Sequence, residues 1–137
     1  MSELQQIERP DGKKCPVYVA EPSAAPKGGV VVIQEWWGLN AQIKKVADRV
    51  AAAGYRAVGP DLYRGKLASD ADEANHEMSS LDFMDATTQD IQACSNFLQA
   101  AGKVAVMGFC MGGALTILSA VKASGIAAGV CFYGIPP

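Results

Sequence analysis

Ten residues, Val104 to Gly113 (V-A-V-M-G-F-C-M-G-G), constrain this chain more than any other stretch. A short apolar strand runs into Gly-x-Cys-x-Gly-Gly, and a strongly apolar helix follows at once. A side chain presented at so sharp a strand-to-helix turn sits on strained backbone, so its crowding neighbours must lack side chains. Gly108 and Gly112 lie two residues either side of Cys110, where they permit that crowding, and Gly113 lets the new helix approach the sheet. The pattern is a nucleophile elbow with cysteine where serine is commoner. The amide of Met111 then points to where an oxyanion would form, at a helix N-terminus carrying partial positive charge. The competing reading makes Cys110 a small buried hydrophobe and the glycines packing devices. Neither G-x-G-x-x-G nor a Gly-Lys-Ser/Thr phosphate cradle occurs.

The rest of the chain reads as strands alternating with helices. Cys15 to Val19 forms a first edge strand, with Pro16 arguing against a central position. Val30 to Gln34 is a continuous apolar run, the pattern of a parallel strand buried on both faces. Asn40 is a good N-cap. Ile43, Val46, Ala47, Val50 and Ala51 then repeat at helical spacing until Gly54. Tyr55 to Gly59 is the next strand, closed by Pro60, and Leu62 to Ser80 is a polar loop with a short helix. A longer helix presents Phe83, Thr87, Ile91, Cys94, Phe97, Leu98 and Ala101 on one side and stops at Gly102. Val104 to Gly108 and Ile126 to Phe132 are strands, and the apolar helix Met111 to Ala123 between them should be covered on several sides.

This alternation predicts an α/β fold, a mainly parallel sheet with flanking helices, as a single domain over residues 1–137. Right-handed crossovers place the strands' carboxyl ends on one rim. Glu35, Asp61 and Cys110 each fall just past such an end. Asp61 reads as a turn or capping residue, whereas Glu35 is a candidate to take the Cys110 proton. The helix N-terminus favours a thiolate and a nearby carboxylate opposes it, so Cys110 is expected to rest neutral. Trp36 and Trp37 either wall a pocket or cover the rim of the sheet.

A net charge of −2 offers no basic field for nucleic acid and no polybasic membrane patch. No run approaches the ~18 apolar residues of a membrane span, and the polar N-terminus resembles no signal peptide. The four cysteines contain no C-x-x-C pair and are accompanied by one histidine. A zinc site and a disulfide framework are therefore not expected, nor any cofactor, and the setting is reducing and cytoplasmic. Cys94 and Cys131 fall on predicted core faces, and His76 reads as a solvated surface residue.

Three further motifs accompany the elbow G-F-C-M-G-G-A (Gly108 to Ala114): Q-E-W-W-G-L-N (Gln34 to Asn40), G-Y-R-A-V-G-P-D-L-Y (Gly54 to Tyr63) and A-A-G-V-C-F-Y-G (Ala127 to Gly134). With them the chain resembles the dienelactone hydrolase family within the α/β-hydrolase superfamily, from about residue 10 onward. The resemblance implies hydrolysis of a small-molecule lactone or related ester through a cysteinyl acyl-enzyme. Cys110 would be the nucleophile, the N–H groups of Met111 and Trp36 the oxyanion hole, and Glu35 a polar partner of the resting thiol. Trp37 and Arg64 are the substrate-binding candidates it suggests, Arg64 for a substrate carboxylate.

One departure stands out. The superfamily's chain order is nucleophile, then Asp or Glu, then His, and beyond Cys110 this sequence contains none of the three. A strand as apolar as Ile126 to Phe132, with no neighbour and no covering helix, would be an exposed edge prone to self-association. The chain is therefore expected to be the N-terminal portion of a larger hydrolase, or a product that has lost its C-terminal portion. The alternative is a non-catalytic α/β module that binds a small molecule or a partner through its open sheet edge.

Overall fold

Strands β1 (Gln5–Glu8), β2 (Lys14–Ala20), β3 (Gly29–Ile33), β4 (Arg56–Pro60), β5 (Val104–Phe109) and β6 (Ile126–Phe132) form one sheet in the order β1-β2-β4-β3-β5-β6. These elements come from a computed structural model that describes residues 4–137. β4, β3, β5 and β6 run parallel, and β1 and β2 add an antiparallel margin. The sheet is thus mixed, with its parallel half where the strand-helix alternation predicts it. β3 lies at the centre, and Val31, Val32 and Ile33 are fully buried, as an apolar run covered on both faces must be.

α1 (Ala41–Ala52) covers one face. Its Asn40 cap accepts a hydrogen bond from the Ile43 amide at 3.1 Å, and its buried stripe of Ile43, Ala47 and Ala51 packs on Tyr18, Val32 and Ala57. The opposite face carries α3 (residues 83–101) and α4 (Met111–Lys122), with Ile91, Cys94, Leu98 and Leu115 over Val31, Ile33, Val58 and Val106. α2 (Ala71–Ser80) is capped by Asp70 and lies near the rim of that face.

The first predicted strand is not an edge. β2 pairs with β1 on one side and β4 on the other. Pro16 is tolerated because β4 ends at Pro60, opposite Val17, and the Pro16 carbonyl meets the Asp61 amide at 2.8 Å just beyond. No ladder donor is lost there. The long helix also differs from a regular α-helix. Residues Ala86–Ile91 form a π-turn, with α-helical turns before and after it. Thr87 and Thr88 donate their hydroxyls to the carbonyls of Phe83 and Met84 (2.7 and 2.8 Å), a pairing that loosens helical turns. Phe97 falls outside the buried stripe and is exposed.

Asp90, on this π-turn, is 3% exposed and accepts from Arg9 (3.1 Å) and Arg64 (2.7 Å). Arg9 is itself buried and also holds Asp11 and Asp85. This network fastens β1 and the turn after β4 to α3. Cys15 lies beside it, its thiol pushed up to about 12 by burial and by the Asp90 charge.

One edge of the sheet is β6, nearly all of it exposed, including Val130 and Phe132. Cys131, expected in the core, is exposed because no layer covers this edge among the described residues. Ile117 and Val121 leave one side of α4 open for the same reason.

Candidate active site

The carboxyl ends of β3, β4, β5 and β6 converge on one rim, and Cys110 stands there at the junction of β5 and α4. Its backbone is left-handed, φ 57° and ψ −114°, a conformation that costs a non-glycine residue about 1–3 kcal/mol. Neighbouring contacts hold it in place. The Cys110 amide donates to the Phe132 carbonyl at 2.9 Å, and its own carbonyl accepts from Ala114 at 3.1 Å.

The flanking glycines are required by contact distance. A Cβ on Gly108 would lie 2.0 Å from the Gly112 carbonyl oxygen, and one on Gly112 would lie 2.5 Å from that of Gln34. α4 therefore starts hard against the end of β3, next to the segment that continues into Glu35 and Trp36. Met111 opens α4, so its amide has no acceptor within the helix. Its side chain is buried, with the Tyr63 hydroxyl 3.4 Å from its sulfur.

Cys110 is half-buried and faces a cavity of about 590 Å³ that is mainly apolar. Met78, Leu81 and Phe83 from the α2–α3 corner form one wall, and Met111, Ala114 and Ile135 form the other. A partly exposed thiol beside an apolar cavity can attack an acyl carbon, and the free Met111 amide can hold the resulting oxyanion.

Glu35 is also on this rim. Its carboxylate accepts a hydrogen bond from the Tyr133 hydroxyl at 2.8 Å. The preceding Gln34 is fully buried: its side-chain oxygen accepts from the Leu62 amide at 3.1 Å, tying the end of β3 to the end of β4. Asp61 closes the turn after β4 by accepting from the Gly65 amide at 2.7 Å, as its position predicts. Burial pushes its carboxyl up, and Oδ1 has no partner.

Not every expected residue reaches the cavity. Trp36 and Trp37 pack edge to face, 5.5 Å between centroids, and are absent from its lining. The Trp37 carbonyl accepts from Ala68, so this loop braces the rim. Arg64 does not reach Cys110: its guanidinium grips the Asp90 carboxylate and the Asp61 carbonyl. A buried carboxylate needs that neutralisation, so Arg64 is engaged with Asp90 here. His76 is exposed on α2 and lines a separate depression with Asp72 and Glu73.

Sequence patterns assign no role to two residues of this rim, Tyr133 and Gly134. Their one local signal is an aromatic-Gly pair after an apolar run.

The family model for the dienelactone hydrolase family matches residues 15–137. The chain belongs to the dienelactone hydrolase family. Among similar proteins, "Protein usf" of Aquifex pyrophilus is 37% identical over 147 residues, covering 99% of this chain and 63% of that protein. A carboxymethylenebutenolidase of Pseudomonas putida is 31% identical, covering 98% and 62%. A dienelactone hydrolase-like promiscuous phosphotriesterase from metagenomic libraries superposes with a TM-score of 0.79 at 28% identity, covering 97% of this chain and 60% of that one. The chain thus spans about 60% of the length of these relatives. Among the described residues no helix is long and apolar enough to cross a membrane.

Proposed function

We propose that this chain carries the nucleophilic half of a cysteine hydrolase acting on small-molecule lactones or related carboxylic esters. The observation that carries this reading is Cys110 on a left-handed turn, at the mouth of an apolar cavity and the N-terminus of α4. The Cys110 Sγ attacks the acyl carbon, forming a thioester as the ester C–O bond breaks. Glu35 takes the thiol proton and returns it to the departing alkoxide. The amides of Met111 and Trp36 stabilise the tetrahedral oxyanion. Trp37 supports the rim from its place against Trp36. A reducing, cytoplasmic setting suits a protein with four free cysteines.

Release of the acyl group requires activated water, and the residues after Cys110 include no Asp, Glu or His to activate it. General-base help of that kind is worth about 10²–10⁴-fold. With p-nitrophenyl acetate the expected result is a burst of p-nitrophenol near one equivalent, then slow turnover. Mass spectrometry should find the acetyl group on Cys110, and Cys110→Ala should abolish the burst. A burst that survives this substitution would overturn the reading.

A second reading rests on β6. Its exposed Val130 and Phe132 favour association of this chain through its open edge, as a module without catalysis. A protein that self-associates yet shows no Cys110-dependent acylation would favour it.

A further inference from the structure

Glu35 and Tyr133 are 98 residues apart in sequence, yet the phenol donates to Glu35 Oε2 at 2.8 Å. Tyr133 is exposed, but its backbone is held in place. Its backbone is left-handed, φ 38°, a region that bulky residues rarely adopt. The elbow itself fixes it there. On one side the Phe132 carbonyl accepts the Cys110 amide. On the other, Gly134 sits so close beneath the elbow that a Cβ would lie 2.0 Å from the Cys110 carbonyl oxygen. The Cys131 thiol donates to the Gly134 carbonyl at 3.3 Å. The ring leans on Phe109, which stacks on Phe132 with centroids 4.9 Å apart.

The turn that carries the phenol is therefore bolted to the residue that carries the thiol. The phenol is pushed up chiefly by its bond to Glu35, with a smaller contribution from Cys110, so it stands within electrostatic reach of both. We propose that Tyr133 is the positioning residue for Glu35, its hydroxyl fixing the carboxylate beside Cys110 and withdrawing part of its charge until an ester enters. This rests on the reading of Cys110 as nucleophile and Glu35 as its proton acceptor. Tyr133 keeps its own proton throughout. With Oε2 occupied by the phenol, Oε1 is the oxygen left to receive the thiol proton.

Iodoacetamide alkylation of Cys110 across pH tests this without needing turnover, with Cys110→Ala as the blank for the other thiols. Glu35→Gln removes the negative charge and should move the midpoint of the alkylation profile down. Tyr133→Phe keeps the ring on Phe109 but leaves the carboxylate with its full charge and free to turn towards sulfur. Its midpoint should rise, slowing alkylation at pH 7 by about threefold for a rise of about half a pH unit. Once the carboxylate is gone, loss of the hydroxyl has nothing left to release, so the profile of the double variant should match that of Glu35→Gln.

If Glu35→Gln shifts the profile and Tyr133→Phe does not, the carboxylate is placed without the phenol and this inference fails alone. A lowered thermal midpoint with an unshifted profile overturns it equally, since that combination marks a structural role only. If neither variant moves the profile, Glu35 does not act on Cys110, and the proton-transfer part of the proposed function fails with it.

Discussion

At the scale of single residues, steric demand dominates. A Cβ at position 108 would meet a main-chain oxygen at 2.0 Å, and backbone cannot rotate aside as a side chain can. Gly108→Ala should therefore destabilise the protein by about 3 kcal/mol, the upper end of ordinary overpacking, and should reduce the Cys110-dependent burst in what still folds. Urea unfolding monitored at the two tryptophans measures the first effect; a change below about 0.5 kcal/mol would mean the elbow has slack that these distances deny. Such demands are local, which is why Gly108, Cys110 and Gly112 are legible as a spacing. Tyr133 is not legible in that way. Its partner lies just past the end of β3, across β5 in the sheet, and no local pattern reports a hydrogen bond closed over that distance.

At the scale of elements, the helices form where apolar spacing predicts them, and the surprises lie in how charge joins them. The π-turn in α3 brings Asp90 into the interior, where Arg9 and Arg64 meet it. Removing one partner from such a buried group leaves a charge uncompensated, at about 3–5 kcal/mol. Asp90 keeps Arg64 when Arg9 is removed, so Arg9→Met should cost less than that, about 1.5–3 kcal/mol for the lost charged hydrogen bonds, in thermal or urea unfolding, with β1 and α3 losing amide exchange protection first. The outer part of the network titrates. Arg9 holds the Asp11 carboxyl down at about 2, from an ordinary value of 3.8. A depressed acid stabilises the fold fully above its unfolded value, and that contribution fades as pH falls through the folded one. Wild-type stability should therefore drop between about pH 4 and pH 2 more steeply than that of Asp11→Asn. Parallel curves for the two proteins would mean that Asp11 adds nothing to the docking of β1. For Arg64, sequence position shows an arginine just past a strand end, and only the packed interior reveals the Asp90 carboxylate it neutralises.

At the scale of the whole molecule, the sheet order gathers the carboxyl ends of four parallel strands on one rim and leaves β6 with a single neighbour. An apolar strand with an open ladder is a template for pairing with another chain. This chain is expected to self-associate with rising concentration, and Val130→Lys, which sets a charge on that edge, should lower the association. Sedimentation velocity decides it; identical behaviour of the two proteins would place any association elsewhere. The α/β alternation, the buried run of β3, the caps at Asn40 and Gly54 and the cysteine elbow were determined by sequence alone, because each depends on forces acting within a few residues: periodic burial, backbone sterics and local capping. The lateral order of β2, the burial of Asp90, the exposure of Cys131 and the bond between Tyr133 and Glu35 were decided only by tertiary structure. Each depends on which distant segment arrives alongside, and burial and charge pairing take their sign from that neighbour.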